Sequence, residues 1–192
     1  TGNVTNTSVQ VPGRARPITI GWYSVHPNFF DTMGIDMLAG RKLSRQFAKD
    51  SGSIPYEPAE ALQAGFRMLA QRGLNVVVNE LAAKQMGFAT PVAAIGKQVK
   101  VNQLPDEYGM LTVTIVGVAQ DSRFRSLREP VEPAIYHDAG AYRSLAVRYD
   151  SPDPEGVRRN VERVWKKVAP EVPFEGEFAD AQLAELYRID AA

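Results

Sequence analysis

The chain contains no cysteine, which excludes disulfide scaffolds, thiolate zinc sites, iron–sulfur clusters and cysteine nucleophiles. It has two histidines, too few for a histidine-rich metal site. Neither sign of charge is in excess, with 22 lysines and arginines against 22 aspartates and glutamates. A protein that holds nucleic acid through its phosphates needs a basic surplus, so that class is disfavoured. No apolar run approaches the ~20 residues that cross a bilayer. The opening residues, Thr1-Gly2-Asn3-Val4-Thr5, lack the basic and apolar stretches of a signal peptide. What is present is 192 residues, 44% apolar and 23% charged. That composition can bury a core, in one large domain or two small ones. A start without methionine reads as a soluble piece cut from a longer protein.

Periodicity supplies the elements. Ser8–Val11 alternates and stops at Pro12-Gly13, and Ile18–Val25 follows, so a hairpin is expected. Pro27 to Met33 reads as a short helix closed by Gly34, with a brief strand from Ile35 to Leu38 ending at Gly40-Arg41. Residues 44–56 are polar and without period. Leu62, Phe66 and Leu69 mark a helix over 59–71, and the β-branched run Leu74–Val78 reads as a buried strand. Asn79 is placed to cap a helix that ends at Gly87. Strands at 97–101 and 111–118 form an expected antiparallel hairpin. Strands are also expected at 133–136, 144–149 and 172–175. Between the last two, Val157, Val161, Val164, Trp165 and Val168 form one apolar stripe on a helix with a basic opposite face. Residues 144–175 therefore read as a β-α-β unit, and a final helix is expected over 180–188. The mixture of hairpins and separated helices gives an α+β class, with mixed and antiparallel sheets flanked by helices.

Candidate chemistry is thin. His26 and His137 stand 111 positions apart; Asp138 follows His137, but nothing in the spacing favours a metal site built from two histidines and a carboxylate. Turn and surface roles are the favoured reading over a ligand role. Ser51 in Asp50-Ser51-Gly52-Ser53 lacks the strand-turn-helix context of a nucleophile elbow. Asn79-Glu80 follows a buried strand, where an enzyme could use it, but a helix cap with a first-turn glutamate is the reading the spacing favours. Gly40-Arg41 and Gly117 to Asp121 fit no phosphate-loop spacing and read as turn or crowded-backbone positions. No catalytic, cofactor-binding or metal-binding set emerges.

An ordered series of short motifs remains. It runs Ser24-Val25-His26-Pro27-Asn28-Phe29-Phe30-Asp31-Thr32-Met33-Gly34-Ile35, then Leu38-Ala39-Gly40-Arg41. Val76-Val77-Val78-Asn79-Glu80, Ala94-Ile95-Gly96-Lys97 and Ile115 to Asp121 follow, then Pro133-Ala134-Ile135-Tyr136 and Leu145-Ala146-Val147-Arg148. In this order, over residues 24–148, the series resembles the MacB-type periplasmic core domain of ABC-transporter permeases in the FtsX/MacB superfamily. Segment 44–72 departs from the pattern by being long and helix-rich.

The resemblance implies a porter-like βαβ lobe, residues 1–26 and 127–192, shortened at its N-terminal side. A smaller Sabre-like α/β lobe, residues 27–126, would be inserted in it. It implies a non-enzymatic domain without cofactors, on the periplasmic side of the cell inner membrane. Such domains couple cytoplasmic ATP hydrolysis to export or envelope events by mechanotransmission. The implied partners are a second permease protomer, a cytoplasmic ATPase and an envelope protein, with no nucleic acid. Phe29, Phe30, Gly34, Gly40, Arg41, Asn79, Glu80, Gly96, Gly117 and Asp121 then take structural roles. The alternative is a stand-alone extracytoplasmic module that binds a peptide, glycan or lipid.

Overall fold

The computed structural model describes residues 5–123, 130–142 and 144–179. These fall into two compact units, one covering the described residues of 5–123 and 130–146, the other 147–179.

The first unit is built on one seven-stranded mixed sheet. Its strands are β1 (Thr5–Gln10), β2 (Ile18–Ser24), β3 (Met37–Gly40), β4 (Leu74–Asn79), β5 (Gln98–Val101), β6 (Leu111–Ala119) and β7 (Ala134–His137). The expected hairpins form: β1 pairs antiparallel with β2, and β5 with β6. β7 lies parallel to β2 and antiparallel to β4, while β4 lies parallel to β6. β5 also pairs with β1, through Val9 opposite Val101. The series β6-β4-β7-β2-β1-β5 therefore returns to β6 and closes. Closure removes exposed strand edges, which otherwise invite pairing with other chains. β3 continues the edge of β6 that β5 leaves free, since β5 takes residues 111–114 and β3 takes 117–119.

The closed sheet has a core on each face. Alternation along β6 sends Leu111, Val113 and Ile115 into the larger cluster, with Val9, Ile20, Val76, Val78, Val99 and Val101. β4 is buried along its whole length, because Val77 points the other way into a smaller cluster. That second cluster holds Val25, Phe30, Ile35, Leu43, Ala119, Ala134 and Tyr136. Helix α1 (Phe29–Met33) carries Phe30 into it and ends at Gly34. Helix α2 (Ala59–Arg72) sets Leu69 against the larger cluster, and α3 (Glu80–Gln85) and the single turn α4 (Pro91–Ala94) add Ala82, Ala83 and Ala94.

Helix α5 (Pro154–Val168) belongs to the second unit. Asp153 caps it by accepting the Gly156 N–H at 2.8 Å. Glu162 pairs with Lys166 one turn on at 2.8 Å, and Arg159 lies 3.6 Å from Asp153. No residue of α5 is fully buried, and Val164 and Val168 are largely exposed.

One expectation is corrected. Residues 144–149 and 172–175 are not strands, so 144–175 is not a β-α-β unit. The alternation of Leu145, Val147 and Tyr149 defines a face, but a strand exists only where another takes up its N–H and C=O groups, and the described residues of that unit supply none. β1, β2 and β7 share one sheet with β3–β6, so this sheet draws on residues of both expected lobes, 1–26 with 127–192 and 27–126. The expected helix at 180–188 lies outside the described residues.

Candidate functional site

β4 starts where β3 and β7 run out, and a polar cluster forms at that end of the closed sheet. Arg41 follows β3 and Asn75 opens β4. The loop between β3 and α2 returns to them at a 3-10 turn, Ala48–Asp50. Asp50 is 1% exposed and all four of its acceptor directions are used. Its Oδ2 accepts from Arg41 Nη1 at 2.6 Å and from the Ser44 N–H at 2.8 Å. Its Oδ1 accepts from Arg41 Nη2 at 2.9 Å and from Asn75 Nδ2 at 2.7 Å. Burial alone would raise this carboxyl's pKa; the hydrogen bonds from Arg41, Asn75 and Ser44 outweigh burial and hold it below the usual range.

The same loop is tied to the end of β7. The Gly52 N–H donates to the Asp138 carbonyl at 2.6 Å. Asp138 is buried, and its carboxylate accepts from the Gly140 N–H and the Tyr142 hydroxyl. Burial and then the Asp138 hydrogen bond push the Tyr142 hydroxyl up to about 12. His26 packs edge-on against Tyr142, and the Arg45 guanidinium lies 3.1 Å from its Nε2. His137 stacks on Trp22, with ring centres 4.2 Å apart.

The opposite end of β4 carries a second knot. Asn79 is fully buried, and its Oδ1 accepts from the Ala82 N–H at 3.0 Å and the Ala134 N–H at 2.8 Å. Its Nδ2 donates to the Glu132 carbonyl at 2.8 Å. Asp121 accepts from the Leu81 N–H at 3.0 Å, so two side chains cap α3 from different parts of the chain. Glu80 pairs with Lys84 at 2.9 Å.

No family model matches the sequence, and no curated protein matches it. Solved structures do. The periplasmic region of MacB from Actinobacillus actinomycetemcomitans superposes with a TM-score of 0.58, over 97% of this chain and 73% of that one, at 14% identity. The fold is that of the MacB periplasmic region. The extracellular domain of the noncanonic ABC-type transporter YknZ from Gram-positive bacteria gives a TM-score of 0.42 at 13% identity, over 72% of this chain and 52% of that one.

Within this MacB-type fold the motif residues hold backbone together and do not converge on one cleft. Phe29 and Phe30 pack on Tyr136 with ring centres 5.8 and 5.3 Å away. Gly40 and Gly117 sit face to face where β3 meets β6. A Cβ on Gly40 would come within 2.2 Å of the Val116 carbonyl oxygen, and one on Gly117 within 2.2 Å of the Arg41 carbonyl oxygen. Neither position admits a side chain without moving backbone. The Gly96 N–H donates to the Ile115 carbonyl and fixes the turn before β5. Among the described residues no three His, Cys, Asp or Glu side chains gather to hold a metal, and no helix is long and apolar enough to cross a membrane. A shallow depression of about 290 Å³ beside Ser8, Asn102 and Asp106 is open to solvent.

Sequence reasoning missed Asp50, Asn75, Asp138, Tyr142 and Trp22. The Gly-Arg turn was the one local signal, and it did not reveal what Arg41 would pair with.

His137 gives the MacB-type fold an acid-sensitive point. Burial lowers its pKa to about 4, with Asp138 pulling the other way. In an unfolded chain an imidazole titrates near ~6.5. Between the two values the unfolded state binds a proton that the folded state refuses, so stability is complete above the upper value and drains as pH falls. His137→Phe keeps a flat ring on Trp22 and removes the proton. In urea titrations the unsubstituted chain is expected to lose about 2 kcal/mol more than the variant between pH 7 and pH 5. Equal losses would place the sensitivity elsewhere.

Proposed function

We propose that this chain is an extracytoplasmic domain of an ABC-transporter permease, without catalytic chemistry of its own, that passes movement from a cytoplasmic ATPase to events outside the membrane. The MacB periplasmic fold, spanning 97% of the chain, is the observation that carries this reading. The ordered motif series over 24–148 supports it independently of the fold comparison. The hydrogen-bonding side chains also fit, since Asp50, Asn79, Asp121 and Asp138 are all used to fix backbone. On this reading the unit containing the closed sheet corresponds to the Sabre-like lobe, and 147–179 belongs to the porter-like lobe.

Expression of the whole gene product tests it. It is expected in the membrane fraction, with this domain cleaved by protease added outside intact spheroplasts. It should purify with a nucleotide-binding partner whose ATPase rate changes when the domain is deleted. A whole gene product found soluble in the cytoplasm would refute the reading. Saturable binding of one peptide, glycan or lipid to a product with no ATPase partner would replace it with a stand-alone binding module.

A further inference from the structure

The loop between β3 and α2 combines three features that the packing of the fold does not require. The first is charge. Residues 41–50 carry Arg41, Lys42, Arg45 and Lys49 against Asp50 alone. Asp50 compensates Arg41, and Asp31 compensates Lys42. Arg45 is exposed and faces the His26 imidazole and the Tyr142 hydroxyl, neither of which carries a negative charge. Lys49 is exposed with no ion-pair partner among the described residues. Two cations, four positions apart, are left open.

The second feature is an aromatic ring placed between them. Phe47 is 46% exposed. The Arg41 guanidinium lies 4.0 Å above its centre, so the ring is held on one side and bare on the other. Aromatic rings in such settings are typical anchors of protein interfaces.

The third feature is order. The loop is pinned by buried Leu43, by the four hydrogen bonds on Asp50 and by Gly52 bonding to the end of β7. Within it the Phe47 N–H donates to the Ser44 carbonyl, and the Asp50 N–H to the Phe47 carbonyl. A buried carboxylate is a costly way to fix a surface loop. What it fixes here is the presentation of Arg45, Phe47 and Lys49, and loops held on a rigid scaffold are where proteins place recognition.

We propose that this loop is a docking surface for an acidic protein segment that carries an apolar residue for Phe47 and carboxylates for Arg45 and Lys49. Membrane surfaces and nucleic acids are poorer matches. Lipid-binding segments present clusters of four to eight cations, and phosphate backbones need still denser charge. The loop offers two open cations around a single ring, in a chain with no net charge. The proposal stands whether or not the parent protein is a transporter.

The probe is a fluorescent peptide of glutamates around a central leucine, titrated with the 192-residue chain and followed by anisotropy. A second peptide has glutamine at every glutamate. Saturable binding is expected for the acidic peptide alone, falling steeply with salt. Joint substitution Arg45→Glu and Lys49→Glu, or Phe47→Ala, is expected to weaken it about tenfold or more. These side chains are exposed, so the melting temperature should hold. A charge-reversed control at exposed Arg67 and Lys100 should bind as the unsubstituted chain does. Absence of saturable binding, or equal weakening by the control, overturns the proposal. Binding of phosphatidylglycerol vesicles through the same residues, without peptide binding, overturns it in favour of a lipid surface.

Discussion

Asp50→Ala is expected to lower the free energy of unfolding by about 3 kcal/mol, although the residue lies in a surface loop. Removing the carboxylate strands three donors at once. The Asn75 amide is buried at the start of β4 and cannot turn to water. The Ser44 N–H loses its acceptor at 2.8 Å. Arg41 keeps its charge, but its side chain is 35% exposed, so water recovers part of the loss there. That partial recovery places the expected cost at the low end of what breaking a buried pair entails. Asp50→Asn keeps the volume and removes the charge, and is expected to cost nearly as much. In either orientation its amide would direct a donor at the Arg41 guanidinium, and with it at the Asn75 amide or the Ser44 N–H.

The pH dependence of these variants follows from the depressed carboxyl. A folded pKa below the unfolded ~3.9 means that the stabilisation is present above that value and is lost as pH falls through the folded one. The unsubstituted chain should therefore lose stability below about pH 4 faster than Asp50→Ala does. This window lies below the one set by His137, so the two acid responses separate in one titration series. Urea unfolding at pH 7 and pH 3 reads both quantities. A loss under about 1 kcal/mol at pH 7 would mean that water already reaches the Arg41–Asp50 pair.

The elements of this fold were legible in the sequence wherever their causes were local. Leu111, Val113 and Ile115 announced a strand because alternate residues share a face, and β6 uses that face. Asn79 announced a helix start because a cap reaches only three residues ahead, to Ala82. Its second acceptor role, toward Ala134, spans 55 positions and had no local sign. Thr90-Pro91 carried the cap and first-turn proline of α4 and was passed over because the helix is one turn long. Closure of the sheet rests on Val9 meeting Val101, two residues whose own neighbourhoods predict strands but not partners. Residues 144–149 show the converse error, in which a strand pattern was read where the described residues offer no neighbouring strand. The polar site was hidden for a related reason. An aspartate in a polar loop looks solvated until Arg41 and Asn75, from two other elements, are brought to it.

Phe30→Ala is expected to cost about 4 kcal/mol, the largest loss of any single truncation considered. The ring is fully buried and meets Phe29 and Tyr136 edge-on at 5.4 and 5.3 Å. Its loss removes both the transfer free energy of the ring and the contacts that a collapsed core would need to recover. Helix α1 has five residues, far below the length at which a helix holds itself together in water, so Phe30 is what keeps it on the sheet. Phe29, half-buried on the same helix, is expected to cost about 1–2 kcal/mol on truncation, and the contrast between the two is the decisive measurement. Equal losses would mean that the helix is held by its flanking turns and that the small cluster contributes little. The consequence reaches beyond α1, because Leu43 anchors the basic loop in the same cluster. Loosening the Phe30 site should therefore weaken acidic-peptide binding even though Arg45, Phe47 and Lys49 are untouched. Phe29→Ala should leave that binding nearly intact, since Phe29 only borders the cluster that seats Leu43.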